Sequence, residues 1–231
     1  LGIEGNERSL TATASRLNDL LRTLGSHVRF IAAHANFGDL PTLLQRYRLP
    51  NPDVVLLDLG FSSLELGTVS GLSFLRDEPL DMRYGVFAGD RSAADLVNRE
   101  PKEMLARLIA TFGEERYAAR IAEAIVRQRR ARPFRTSGEL VEAIMSAVPR
   151  GYERGRIHPA TRTFQALRIA VNREIENLES FLGFLPSVAA PGARAAVISF
   201  HSLEDKLVKR LFRILAAHGA AGEVERGRAH L

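Results

Sequence analysis

The sequence predicts an α/β protein: an open sheet of parallel strands, interrupted by a purely helical segment. Over residues 1–58 short apolar runs alternate with amphipathic helix-period stretches, the strand–helix–strand–helix–strand order that a parallel sheet needs. The same alternation returns over residues 164–216. Between them, from about Gly85 to Ile157, helical patterns follow one another with no convincing strand.

Leu1-Gly2-Ile3 reads as a strand ended by Glu4, with Gly5-Asn6 as its turn. A helix is expected from about Ser9 to Leu24, with Leu10, Leu17, Leu20, Leu21 and Leu24 on one face and Gly25 as its stop. Val28 to Ala33 is a second strand. After Asn36-Phe37 a short helix carries Leu40, Leu43 and Leu44, and Pro50 and Pro52 break it. The run from Asp53 to Asp58 is a third strand, and its unbroken apolar stretch suits burial on both faces.

The helical segment is expected as four helices: Ala93 to Asn98, Pro101 to Thr111, Glu114 to Arg130 and Thr136 to Ala147. The third carries acids at its start and arginines at its end, which suits the helix dipole. Phe164, Leu167, Val171, Ile175, Leu178, Leu182 and Leu185 then give one long amphipathic helix. Pro191-Gly192 turns the chain into a fourth strand, Ala195 to Phe200. A last helix, Leu203 to about Ala216, sets Leu207, Val208, Leu211 and Leu215 on its buried stripe. The segment from His218, rich in Gly, Ala and charge, calls for no regular element.

Composition narrows the function classes. The 231 residues are 45% hydrophobic, enough for a real core, and contain no cysteine, which removes disulfides, Cys-ligated zinc and any thiol nucleophile. No apolar run approaches the ~20 residues of a membrane span, and the first residues lack a signal peptide's pattern, so a cytoplasmic location is expected. The net charge of +5 is unevenly spread. Arg116, Arg120, Arg127, Arg129, Arg130, Arg132 and Arg135 face one acid, Glu123. Further clusters are Arg150, Arg154, Arg156, Arg162 and Arg168, and Lys206, Lys209, Arg210 and Arg213. Each cluster alone reads as a solvated helix face; three in one chain point to a polyanionic partner.

Ligands of open α/β sheets bind at the carboxyl ends of strands. Four spots fall there. Glu4 ends the first strand, where an acid accepts hydrogen bonds from ribose hydroxyls. Phe37 follows the second and can cover an adenine face. Asp58-Leu59-Gly60 ends the third, and His201 ends the fourth. Each has a plainer reading. Acids end many strands, and Phe37 suits a core. Ser62-Ser63-Leu64-Glu65 and Ser202-Leu203-Glu204-Asp205 fit capping boxes, with Ser202 as N-cap and Asp205 three residues on. Asp58 follows four apolar residues, and a carboxylate buried there needs a partner. An aromatic exocyclic amine is a poor nucleophile until acceptors on its N–H bonds free its lone pair. A strand-end Asp-Leu-Gly loop can hold either a cofactor or such an amine, and spacing does not decide between them.

Four stretches read together: Leu56 to Ser63; Gly71-Leu72-Ser73-Phe74-Leu75-Arg76-Asp77-Glu78-Pro79-Leu80-Asp81-Met82-Arg83; His158 to Asn172; and Ile198 to Asp205. With Gly113-Glu114-Glu115-Arg116 they resemble the bacterial ribosomal RNA small-subunit methyltransferase H family, also called MraW, over nearly the whole chain to about Phe212. The resemblance implies a class I, Rossmann-like S-adenosylmethionine-dependent methyltransferase domain (1–84 and 158–217) with an inserted all-helical domain (85–157) and a tail (218–231). It implies N4-methylation of a cytidine in the decoding region of 16S rRNA, with no metal. By motif match, Glu4, Phe37, Asp58 and Glu65 would contact the cofactor. His201, Glu204 and Asp205 would join Asp58 around the target base, and Arg127, Arg129, Arg130, Arg162 and Arg168 would bind RNA. The partner is the small ribosomal subunit; a homodimer is allowed.

Glu4 stands where the family usually has Asp, and Glu65 where it usually has Gln preceded by Pro rather than Leu64. The family's opening strand and Gly-rich loop, with its Gly-Gly-His segment, have no counterpart before Leu1, and its closing strand is not recognisable in Gly219 to Leu231. A chain truncated at both ends is therefore expected, with the first strand missing from the sheet. The alternative for the chain as given is a non-catalytic RNA-binding or ribosome-assembly role.

Overall fold

A computed structural model of the chain describes residues 1–60, 67, 69–85, 89–152 and 157–217. In chain order the elements are β1 (Gly2–Glu4), α1 (Glu7–Thr23), β2 (Ala32–His34), a 3-10 turn (Phe37–Asp39), α2 (Leu40–Arg46), β3 (Val54–Asp58), α3 (Ala93–Arg99), α4 (Lys102–Gly113), α5 (Ala118–Ala131), α6 (Ser137–Ala147), α7 (Thr161–Asn172), α8 (Glu174–Val188), β4 (Arg194–Ile198) and α9 (Ser202–Ala217). The protein is α/β, with two small parallel pairings among the described residues, β1 with β2 and β3 with β4. No helix among the described residues is long and apolar enough to cross a membrane. The chain divides into two compact units, Leu1–Asn36 with Phe61–Glu174, and Phe37–Gly60 with Ile175–Leu231.

In the first unit β1 pairs with β2 in the register Gly2–Ala32, Ile3–Ala33 and Glu4–His34. The strand expected from Val28 begins only at Ala32, because β1 offers three residues to pair with, and Val28 is left exposed. The α1 start has a sequence cause. The Asn6 side chain accepts hydrogen bonds from the N–H groups of Arg8 and Ser9, and Glu7 sits in the first turn, where the helix dipole favours an acid.

The larger part of this unit is a helical core in which Leu105, Ile109, Ile121, Ile125, Leu140, Ile144 and Leu167 are completely buried. Each such side chain contributes about 1.5–3 kcal/mol of transfer free energy. The core runs past Ile157 into α7, through Phe164, Leu167 and Val171. The Gly71–Arg83 stretch is bound to the start of α6. The Ser137 hydroxyl donates to the Arg76 carbonyl, the Ser137 and Gly138 N–H groups donate to the Glu78 carbonyl and to Asp77 Oδ1, and the Leu80 N–H donates to the Arg135 carbonyl. The Thr136 hydroxyl and the Gly138 N–H hold the Asp77 carboxyl below its ordinary range, as expected of an acid at a helix N-terminus.

Two expectations about helices are corrected here. The helix expected from Glu114 begins at Ala118. Glu114 instead ends α4 in a left-handed conformation (φ 48°), and the buried Glu115 turns the chain by accepting from the Tyr117 N–H and the Tyr152 hydroxyl. The single long helix of Phe164 to Leu185 is two helices, α7 and α8, parted at Arg173 (φ 52°). Asn172 causes the break. Its fully buried amide accepts from the Tyr84 N–H and donates to the Met82 and Arg168 carbonyls. Hydrophobic periodicity is continuous across this point and does not register an amide that bonds outside the helix.

In the second unit β3 and β4 run in register from Val54–Arg194 to Asp58–Ile198. Leu40, Leu43 and Leu44 of α2 and Leu178, Phe181, Leu182 and Leu185 of α8 are buried. The third strand was expected to be buried on both faces. Leu57 is buried, but Val54 and Leu56 are 70% and 65% exposed. An unbroken apolar run permits burial on both faces; covering them is a tertiary matter, and here one face is covered. The stripe on α9 is half-buried rather than buried.

At Gly113 the backbones of α4 and α7 meet so closely that an added Cβ would lie 2.5 Å from the Arg162 carbonyl oxygen. Gly113→Ala should destabilise the chain by about 1–3 kcal/mol, despite alanine's better helix propensity. Urea unfolding checks this; an unchanged midpoint would mean that α4 and α7 separate freely.

Candidate active site

The parallel β3–β4 pair delivers two loops to one end of its strands. Asp58 lies opposite Ile198, and the Leu59 N–H continues the ladder to the Ile198 carbonyl at 3.1 Å. Asp58 is exposed, so its carboxylate stays hydrated and needs no buried partner. Gly60 turns the chain with φ +94°, and a Cβ there would come within 3.2 Å of the Phe200 ring. Only glycine adopts this conformation without strain, so the Asp58–Gly60 loop and the Phe200–His201 loop lie against each other through a residue with no side chain.

Below the second loop sits Glu204, 3% exposed. Its Oε2 accepts the Phe200 N–H at 2.9 Å, and its Oε1 lies 3.1 Å from His201 Nε2. Burial pushes the Glu204 carboxyl upward, but the His201 imidazole and the Phe200 N–H outweigh it, and the group is held below its ordinary value. This corrects the expected cap. The helix opens at Ser202, so the carboxylate three residues into the turn is Glu204, not Asp205, and it reaches back to the N–H of Phe200. Asp205 instead pairs with Lys209 on the half-exposed side of α9, at 2.6 Å. Phe37 packs edge-on against Phe181, with ring centroids 5.5 Å apart, and keeps part of its surface exposed.

In the first unit Glu4 closes β1. Its Oε1 accepts the Asn6 N–H at 2.8 Å, and its carbonyl accepts the Ala35 N–H. The next carbonyl, of Gly5, lies 3.0 Å from His34 Nε2. Glu65 lies outside the described residues, as do Arg154 and Arg156.

The arginines expected to bind RNA separate into two groups. Arg127 and Arg130 are exposed on α5, on the same face as Arg120. Arg129 points elsewhere and donates from Nη1 to the Val97 and Glu100 carbonyls at 2.8 and 2.7 Å, a cation closing the C-terminal end of α3. Arg162 donates to the Glu114 carbonyl. Arg168 forms a two-pronged pair with Glu174, at 2.9 and 3.0 Å, and Glu174 also accepts the Tyr84 hydroxyl. Sequence reasoning missed Asn172, Glu115 and Tyr84. The available signal was a polar side chain inside an apolar repeat, as in Ala170-Val171-Asn172.

Residues 1–223 match the profile of the MraW methylase family. The chain is 46% identical over 217 residues to the ribosomal RNA small subunit methyltransferase H of Geobacter sp. (strain M21), covering 94% of this chain and 67% of that protein. It is 46% identical over 218 residues to the protein of the same name from Pelobacter propionicus, with the same coverage. Against that of Syntrophobacter fumaroxidans it is 42% identical over 214 residues, 92% of this chain and 65% of that protein. The chain thus spans about two thirds of the length of these relatives.

Because the folded Glu204 carboxyl lies below its ordinary value of 4.5, its contribution to stability is full above that pH and is lost as the pH falls through the lower folded value. Glu204→Gln should therefore cost about 1–3 kcal/mol near neutral pH and progressively less in acid. Urea unfolding at several pH values checks this; a loss independent of pH would assign the effect to packing.

Proposed function

The chain belongs to the MraW methylase family, and from that premise we propose that it methylates N4 of a cytidine in the decoding region of 16S rRNA, in the cytoplasm, using S-adenosylmethionine. The fold proposed to carry this is a class I methyltransferase sheet with the helical segment 85–157 as an insert. The observation that carries the reading is the pair of loops at the ends of β3 and β4. They present an exposed carboxylate at Asp58 beside a turn kept free of side chains at Gly60.

The donor chemistry fits the cofactor. Glu4 is a carboxylate acceptor for ribose hydroxyls, its orientation fixed by the Asn6 N–H. Asp58 is an exposed anion suited to a cationic ligand or to the N–H bonds of an amine. Phe37 offers an aromatic face to the adenine, and Glu65 is a further cofactor contact by motif match. When bound, S-adenosylmethionine supplies an electrophilic methyl group on sulfonium sulfur.

The chain's own residues then have two tasks. Asp58 and the Leu59–Gly60 backbone orient the target amine so that acceptors on its N–H bonds turn its lone pair toward the methyl group. His201, fixed by buried Glu204, and Asp205 shape the pocket for the base. Transfer would be direct, the N4–methyl bond forming as the methyl–sulfur bond breaks; these 231 residues hold no cysteine for the covalent route used at cytosine C5.

RNA binds along the exposed face of α5. Arg120, Arg127 and Arg130 recur there at helical spacing over ten residues, about 15 Å of helix. Their charge suits a phosphate backbone. Arg162 and Arg168 act in this reading through the helices they hold.

Asp58→Ala should lower methyl transfer to small-subunit rRNA by about a hundredfold or more, measured with a labelled methyl donor. A rate near that of the unaltered chain would remove Asp58 from the reaction. Replacing Arg127 and Arg130 with Gln should reduce the dependence of log binding constant on log salt by roughly 0.7–0.9 for each arginine, whereas Arg129→Gln should lower the unfolding midpoint and leave that slope in place. An unchanged slope in the double variant would return α5 to the solvated surface.

A further inference from the structure

We propose that Gly85 is a positioning residue for Glu4, pressing the Glu4–Gly5 turn into the conformation that presents the carboxylate to the cofactor's ribose; this rests on the reading of Glu4 given above. A Cβ on Gly85 would lie 2.7 Å from the Gly5 carbonyl oxygen and 3.0 Å from its carbon, and the residue has φ +55°. The two backbones therefore touch with no room for any side chain. On its other side the Gly5 carbonyl meets His34 Nε2 at 3.0 Å. The turn that follows Glu4 is thus held between β2 and the 81–85 loop, and Gly5 is buried while Gly85 is exposed.

The loop is itself anchored. The Asn172 amide accepts from the Tyr84 N–H and donates to the Met82 carbonyl, and the Gly89 N–H donates to the Val171 carbonyl. Tyr84 adds its hydroxyl to Glu174, which Arg168 holds on two prongs. The C-terminal end of α7 therefore fixes residue 84, residue 85 fixes the Gly5 carbonyl, and the Glu4 carboxylate is fixed in turn by the Asn6 N–H one residue on. A helix packed in the helical core in this way sets the orientation of an acid at the end of β1. A carboxylate recognises two hydroxyls only if it is held in one orientation, so any displacement of Gly5 should be read at the ribose.

The test compares equilibrium binding of S-adenosylmethionine with that of its 2′-deoxyribose analogue, in the unaltered chain and in Gly85→Ala, Gly85→Asn and Glu4→Gln. Asparagine tolerates a left-handed backbone, so it introduces the Cβ with less conformational strain than alanine. The unaltered chain should prefer the ribose form by roughly tenfold or more, the effect of one hydrogen bond to a charged acceptor. Glu4→Gln and both Gly85 variants should bring that ratio close to one. If Glu4→Gln leaves the ratio intact, the ribose reading of Glu4 fails and the inference with it. If Glu4→Gln abolishes the preference and the Gly85 variants keep it, the reading stands and the positioning role is overturned. Hydrogen exchange at the Asn6 N–H gives a second readout without any cofactor. The Gly85 variants should speed it about tenfold while the N–H groups of α4 to α7 keep their protection, and unchanged exchange at Asn6 would overturn the role.

Discussion

The first unit depends on the burial of one amide. Asn172 is fully buried and spends its side chain on three backbone groups, from Tyr84, Met82 and Arg168. An unpaired amide in that position would cost several kcal/mol, so the surrounding chain is arranged to satisfy it. Met82 takes a left-handed conformation (φ 65°), and Arg173 takes another that ends α7. Glu174 is thereby set beside Arg168 and under the Tyr84 hydroxyl. Cooperative networks of this kind are stable only when every member is satisfied, and here the members come from segments nearly ninety residues apart.

The same economy governs the ends of β3 and β4. A carboxylate buried as deeply as Glu204 keeps its charge only because the His201 imidazole and the Phe200 N–H face it. The result is a second loop held against Glu204 at Phe200 and His201, and set against a first loop that has no side chain at Gly60. Asp58, by contrast, is left in water. One acid is used for architecture and the other remains available, and the difference between them is burial rather than residue type.

The positive charge divides on similar lines. Arg129 closes the end of α3, and Arg168 is locked to Glu174, while Arg127 and Arg130 project from α5. In sequence Arg129 and Arg130 are neighbours with the same chemistry. The helical turn of 100° per residue sends one toward α3 and the other to solvent, so a count of arginines overstates the charge available to a partner.

Much of the element order was legible in the sequence, because hydrophobic period and turn chemistry are local properties. The strand ending in Asp58, the turn at Gly5-Asn6 ahead of α1 and the run of four helices from Ala93 to Ala147 all follow from neighbours within a few residues. The long motifs also placed the chain in its family, since they record chemistry directly. What the sequence left open depends on distant partners. The periodicity from Phe164 to Leu185 is unbroken, yet the helix breaks, because the Asn172 amide bonds to residues 82 and 84. Gly85 and Gly5 are ordinary turn residues until the fold presses one against the other's carbonyl. Local sequence by itself determined the order of helices and strands, though not every boundary, and which acids end the strands. Only the tertiary structure decided which polar groups are consumed in holding it together, because burial and hydrogen-bond satisfaction are set by residues far apart in the chain.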